Sequence, residues 1–427
     1  MFDGEGNFNR HLSSLGVHEP SLLAFAHHDG IPNDEESMLR LIVATSRFPF
    51  HAEDGVLLNV ECFGPSYKCD DDDVNDGETG NIGTSQNNGD AAYNHNNHRR
   101  SFHNSDQWPL LLYVHGICES TETWGVQTLA QYCAKHCWRL VVLELAGHGL
   151  SGDIGIGSSR VSGGVGSVSS MGRATCPDFD ELVNHVVEFT IRMGRHFSRA
   201  KGMVLCGGSL GGALVAYAVK DILAARHEQS RANSNTDAQL TQQPQLECPD
   251  FYGITLLAPA LGIDPGAIPP SPVVVALRYL SYIFPSQGIL TPIEHPTYAC
   301  PPSSTRNFSG RWPLSTSNML LDITSRRVPN DVESSNVQTQ MEGLQSLCVI
   351  TGDRDEIVPL TSVMKWFEAV TNLSSDDGEK IMIVLKGAGH GFFHERTKWG
   401  LKSENTKKLF VDNLFDWLNG LASKDFE

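Results

Sequence analysis

The sequence predicts an α/β fold: a mostly parallel sheet with helices on both faces. Two observations carry this. Short runs rich in Val, Ile and Leu recur along the chain, and segments with helical spacing separate them. The runs are apolar at successive positions, as strands buried on both faces require, and such strands belong to parallel sheets under helices.

The runs come in the order LLLYVHG from Leu110, RLVVLELAGHG from Arg139, GMVLCGG from Gly202 and YGITLLAPA from Tyr252. After a gap come SLCVITGD from Ser346 and KIMIVLKGAGH from Lys380, and the stretch from Phe179 to Arg192 has helical spacing. Three polar stretches, 65–107, 153–174 and 228–247, are dominated by Asp, Asn, Gly, Ser and Gln and are expected to be disordered surface insertions. His95, His98 and His103 fall in the first of them and are read as polar low-complexity residues, so no metal site is expected. Residues 261–345 interrupt the strand series with PPSPVVVALRYLSYIFP, an apolar segment bracketed by prolines. A cap or lid inserted into the sheet is the economical reading, and a buried helix of the main core is the competing one.

A chain of 427 residues is long enough to bury a sizeable core. The formal net charge of -18 argues against a nucleic-acid partner, although part of it sits in local runs such as Asp70 to Asp73. Ten cysteines lack CxxC pairs, and several lie in apolar stretches, as expected in a reducing compartment. The opening MFDGEGNFNRHLSSLG has acidic residues where a signal peptide would be basic, and no run of about 18 apolar residues occurs. The expected location is cytoplasmic, with attachment to a membrane surface left open.

The stretch VLCGGSLGGALVAYA, Val204 to Ala218, reads as strand, tight turn and helix, with Ser209 at the turn in a G-x-S-x-G pattern. A sharp strand-to-helix turn needs small neighbours, lifts the serine hydroxyl above the sheet and aims the Leu210 amide at an oxyanion. A plain packing turn would show the same pentapeptide. A serine nucleophile also needs a base held by an acid. Gly352-Asp353-Arg354-Asp355 and Gly389-His390-Gly391 close the last two strands, so candidates follow in the chain order Ser, Asp, His. Each lies past the C-terminal end of a strand, where open α/β sheets place their sites.

On these residues the chain resembles the α/β-hydrolase superfamily, and within it the monoacylglycerol lipase-like, serine aminopeptidase-like group. Four segments narrow the likeness: YVHGICESTETW from Tyr113, ELAGHGLSGD from Glu144, the hairpin FPFHAEDGVLLNVECFGP from Phe48, and APALGIDPGAIPPSPVVVALRYLSYIFPSQGILTP at the start of the cap. The resemblance implies an N-terminal extension at 1–47, a hydrolase core at 48–260 and 346–427, and a cap at 261–345 inserted after the sixth strand. It implies Ser209, Asp355 and His390 as catalytic residues and the amides of Ile117 and Leu210 as the oxyanion hole. It also implies His115, Gly116 and Cys118 along the substrate. Asp353 then caps a turn, His394 stays outside the chemistry, and His148 stabilises its turn. Trp124 and Trp138 read as packing residues. Where the group commonly has His or Glu before the serine and Met after it, this chain has Gly208 and Leu210. Ile117-Cys118 stands where a small residue is common. Both departures bear on pocket shape and leave the attacking hydroxyl in place.

The expected activity is a serine hydrolase cleaving carboxylic esters, without metal or cofactor. The partner is a small acyl ester, lipid-like on the strength of the apolar cap segment, with membrane contact through the cap. Phenolic esters, thioesters and aminoacyl amides stay open as substrates, as does a catalytically idle receptor of the same fold.

Overall fold

In the computed structural model the six apolar runs form the six central strands. Described are residues 17–18, 44, 46–64, 106–152, 174–176, 178–235, 249–288, 294–295, 310–371, 373, 378–392 and 404–424. His95, His98, His103, His394 and most of the three polar stretches lie outside them. The strands are β1 (Val17–His18), β2 (Ser46–Arg47), β3 (Phe50–His51), β4 (Leu57–Phe63), β5 (Leu110–Val114), β6 (Arg139–Glu144), β7 (Gly202–Gly208) and β8 (Asp250–Leu257). There follow β9 (Glu294–His295), β10 (Gly310–Arg311), β11 (Ser346–Gly352) and β12 (Glu379–Leu385).

The main sheet has the order β1-β12-β11-β8-β7-β5-β6-β4-β2, with β3 paired to β4. All neighbours from β1 to β6 run parallel, whereas β4 pairs antiparallel with β6, β2 and β3. The hairpin expected from Phe48 is therefore the antiparallel edge. Within the segment 1–47, expected as an N-terminal extension, the described residues include β1, paired with Met382 and Ile383, and β2, paired with Glu61 and Cys62.

Strand alternation splits the core in two. On β5, Leu110, Leu112 and Val114 face one apolar layer, and Leu111 and Tyr113 face the other. The first layer is completed by α2 (Phe179–His196), α3 (Leu210–Asn235) and α8 (Leu360–Ala369); the second by α1 (Trp124–Lys135) and α9 (Glu404–Ser423). Trp124 and Trp138 are buried in packing, as expected. α2 starts where it does because the Asp178 carboxylate accepts the N–H groups of Asp180 and Glu181, and it ends with Arg195 and His196 at the negative end of its dipole. α3 runs to Asn235, so the polar stretch expected to be disordered from Glu228 begins as helix. Its Glu, Gln, Arg and Ala residues are good helix formers extending an established helix.

Between β8 and β11 the chain forms α4 (Ser271–Ile283), the β9/β10 pair, α5 (Leu314–Asp322), a π-turn (Ile323–Arg327), α6 (Val328–Glu333) and α7 (Asn336–Met341). Arg327 fastens this segment to the core: it lies over the rings of Phe179 and Tyr217 at 5.0 and 4.7 Å and pairs with Asp180 at 2.7 Å. Tyr217 in turn donates to the Asp331 carboxylate. α4 differs from the other helices. Ser281 is its only buried residue, and Val273, Val275, Tyr279, Tyr282 and Ile283 are exposed, Tyr282 at 90%.

Candidate active site

Ser209 follows the last residue of β7 and precedes the first of α3, with φ at +49°. For a residue with a Cβ this conformation costs on the order of 1–3 kcal/mol and persists only where the surroundings impose it. They do: the Ser209 N–H donates to Leu257 O at 2.9 Å, and its carbonyl accepts from Ala213 and Ala260 at 3.2 and 2.9 Å. The flanking glycines are steric necessities. A Cβ at Gly207 would lie 2.3 Å from Gly211 O, and one at Gly211 would lie 2.1 Å from Val114 O. Helix and strand thus approach too closely for any side chain.

The hydroxyl has a partner from the far end of the sheet. Ser209 Oγ lies 2.9 Å from His390 Nε2, and His390 Nδ1 lies 2.8 Å from Asp355 Oδ2. His390 follows β12, Asp355 follows β11, and all three sit beyond the C-terminal ends of parallel strands. The other oxygen, Asp355 Oδ1, accepts the N–H groups of Ile357 and Val358 at 2.9 and 2.8 Å, and the carboxylate is fully buried. Asp353 instead accepts the Gly387 N–H at 2.6 Å. Of the two carboxylates the sequence offered, Asp355 faces the histidine and Asp353 closes the turn.

The loop after β5 packs on the serine: a Cβ on Gly116 would lie 3.2 Å from Ser209 Cβ. Its amides are sorted by their partners. Gly116 N–H donates to the Glu119 carboxylate at 2.9 Å, and Cys118 N–H donates to His148 Nε2 at 3.0 Å. Among the described residues no partner is recorded for the Ile117 N–H between them, nor for the Leu210 N–H opening α3. Cys118 adopts φ +59°, is 2% exposed, and has its thiol pushed up by burial, as suits an inert wall residue.

His115, expected along the substrate, lies fully buried in the loop after β5. Its Nδ1–H donates to Gly116 O at 2.7 Å and its Nε2 accepts the Leu145 N–H at 3.1 Å, so both ring nitrogens are committed to backbone. Burial pulls its pKa below the ordinary histidine value, against the opposing pull of Glu119. The structure also adds Glu119 and Glu144, which sequence reasoning did not single out. Glu144, fully buried at the end of β6, accepts from Asn59 Nδ2, from the N–H and hydroxyl of Thr121, and from the Leu150 N–H. Gly149, at φ +50°, is required there because a Cβ would lie 2.1 Å from that carboxylate. No group of three or more His, Cys, Asp or Glu side chains among the described residues is arranged to hold a metal ion.

An Asp–His–Ser line at the C-terminal edge of a mostly parallel sheet defines a class of α/β enzyme scaffold. Residues 111–399 match the model of the alpha/beta hydrolase family, and the chain belongs to that family. No curated protein sequence matches it. Its fold is similar to that of a soluble variant of monoglyceride lipase from Saccharomyces cerevisiae in complex with a substrate analog. That protein is 11% identical, with a TM-score of 0.53 over 90% of this chain and 98% of the other. The fold is also similar to that of DcsB in complex with its substrate analogue, 11% identical, with a TM-score of 0.50 over 88% and 98% of the two chains.

Proposed function

We propose that the protein is a serine hydrolase that cleaves carboxylic esters through an acyl-enzyme on Ser209. The observation that carries this reading is the unbroken Asp355–His390–Ser209 hydrogen-bonded line ending on a serine in a strained strand-to-helix turn. His390 Nε2 takes the hydroxyl proton as Ser209 Oγ attacks the acyl carbon, and Asp355 holds the opposite Nδ1–H and stabilises the imidazolium. The N–H groups of Ile117 and Leu210 receive the oxyanion, each worth on the order of 3 kcal/mol in the transition state. The imidazolium returns the proton to the departing alkoxide. Water, deprotonated by the same nitrogen, then releases the acid and restores the serine.

The segment 261–345 is the cap in this reading, and the substrates are lipid-type esters such as monoacylglycerols or lysophospholipids. The outward face of α4 supports both. Side chains that merely packed the cap onto the core would be buried, whereas Tyr279, Tyr282 and Ile283 are exposed at 71%, 90% and 62%. In a chain of net charge -18, no acidic residue occurs between Asp264 and Glu294. An apolar, aromatic face on a helix with no carboxylate of its own fits a lipid surface. Among the described residues no helix is long and apolar enough to cross a membrane, so contact there is at the interface.

A fluorophosphonate probe tests the chemistry: it labels the wild type and fails to label Ser209→Ala. Equal labelling of the two, with no turnover across short-, medium- and long-chain esters, overturns the reading. Monoacylglycerols, lysophospholipids, phenolic esters, acyl thioesters and aminoacyl amides in the same panel decide the substrate class.

A further inference from the structure

Two histidines outside the Asp355–His390–Ser209 line tie together the loops that follow β5 and β6. His115 on the first loop accepts the Leu145 N–H of the second, and His148 on the second accepts the Cys118 N–H of the first. Each returns its Nδ1–H to a carbonyl of its own loop, His115 to Gly116 at 2.7 Å and His148 to Ala146 at 3.0 Å. The rings lie 5.3 Å apart, at 0% and 2% exposure.

The peptide planes explain what this brace controls. A peptide unit is rigid and trans, so its C=O and N–H point in opposite directions and fixing one end aims the other. The bond from His115 to Gly116 O fixes the plane whose far end is the Ile117 N–H. The bond from Cys118 N–H to His148 fixes the plane that follows. Ile117 is therefore clamped on both sides, in a loop that packs on Ser209 through Gly116.

We infer that His115 and His148, both as neutral Nδ1–H tautomers, are positioning residues that aim the Ile117 N–H at the oxyanion. The inference rests on the serine-hydrolase reading and goes beyond it. Burial disfavours the charged form of His115, and a proton on Nε2 of either ring would face an N–H instead of accepting from it.

The test is a series at His148, read as kcat and KM on one ester with thermal melts alongside. His148→Ala is expected to lower kcat about 10- to 100-fold with KM changed by less than about threefold, because the loss falls on the transition state. His148→Gln, whose amide oxygen reaches the place of Nε2, is expected to recover kcat to within about fivefold of wild type. His148→Asn, which reaches only the place of Nδ1, is expected to behave as Ala. A kcat for His148→Ala within threefold of wild type, or a Gln variant no better than Asn, overturns the inference. A second measurement needs neither turnover nor a folded variant. Nitrogen-15 histidine spectra of the wild type are expected to show both rings protonated at Nδ1 and bare at Nε2, and an Nε2–H tautomer at either ring overturns the brace. A wild type that shows these tautomers yet never labels at Ser209 would refute the hydrolase reading alone.

Discussion

At the residue scale, the position of a hydrogen bond decides the effect of a substitution. Asp355 Oδ1 is held by two backbone N–H groups, so an asparagine there keeps its oxygen on them and turns its NH2 toward His390 Nδ1. The imidazole proton then moves to Nε2, and the base facing Ser209 becomes a donor. Asp355→Asn is expected to lower kcat on the order of 10⁴-fold while the melting temperature stays near that of wild type. Steady-state kinetics with a melt check this. Ser209, Asp355 and His390 were legible because each sits in a local signature: glycines around a serine, and an Asp or His just past an apolar strand. Glu144 was not legible as a hub. Its partners Asn59 and Thr121 stand 85 and 23 residues away in sequence, and only the pairing of β4 with β6 brings Asn59 to it.

At the scale of elements, the strands read true because burial on both faces leaves a run with no polar alternation. The helical boundaries were less legible. α3 outruns its apolar stretch into Glu, Gln and Arg, because propagation from a formed helix asks only for residues that do not break it. For α4 the sequence showed apolar residues nearly all round, which fits a buried helix and a surface one equally; exposure at Tyr279 and Tyr282 places it at the surface. Replacing both tyrosines by serine is expected to reduce hydrolysis of a monoacylglycerol presented in vesicles roughly tenfold, from the aromatic area no longer buried in the interface. A short soluble ester should be cleaved at the wild-type rate. Equal losses on the two substrates would place α4 in folding or in the pocket rather than at the surface of the vesicle.

At the scale of the whole molecule, the sheet order brings residues from four strand ends to one edge. β7 lies between β5 and β8, so the loop carrying Ile117 stands beside Ser209, and β11 and β12 carry Asp355 and His390 in from the other side. Chain order alone suggested this convergence; which loop braces which required the folded sheet. The segment 261–345 is tied to the core through Arg327 and Tyr217, and nothing local in its sequence announces those anchors. The central claim is that Ser209 carries the acyl group. Mixing the protein with a p-nitrophenyl acyl ester, quenching in acid and mapping peptide masses tests it most directly. The account predicts one acyl adduct on the peptide containing Ser209, formed with a burst of p-nitrophenol and absent in Ser209→Ala. Turnover of the ester with the adduct on another residue, or undiminished turnover by Ser209→Ala, would contradict it.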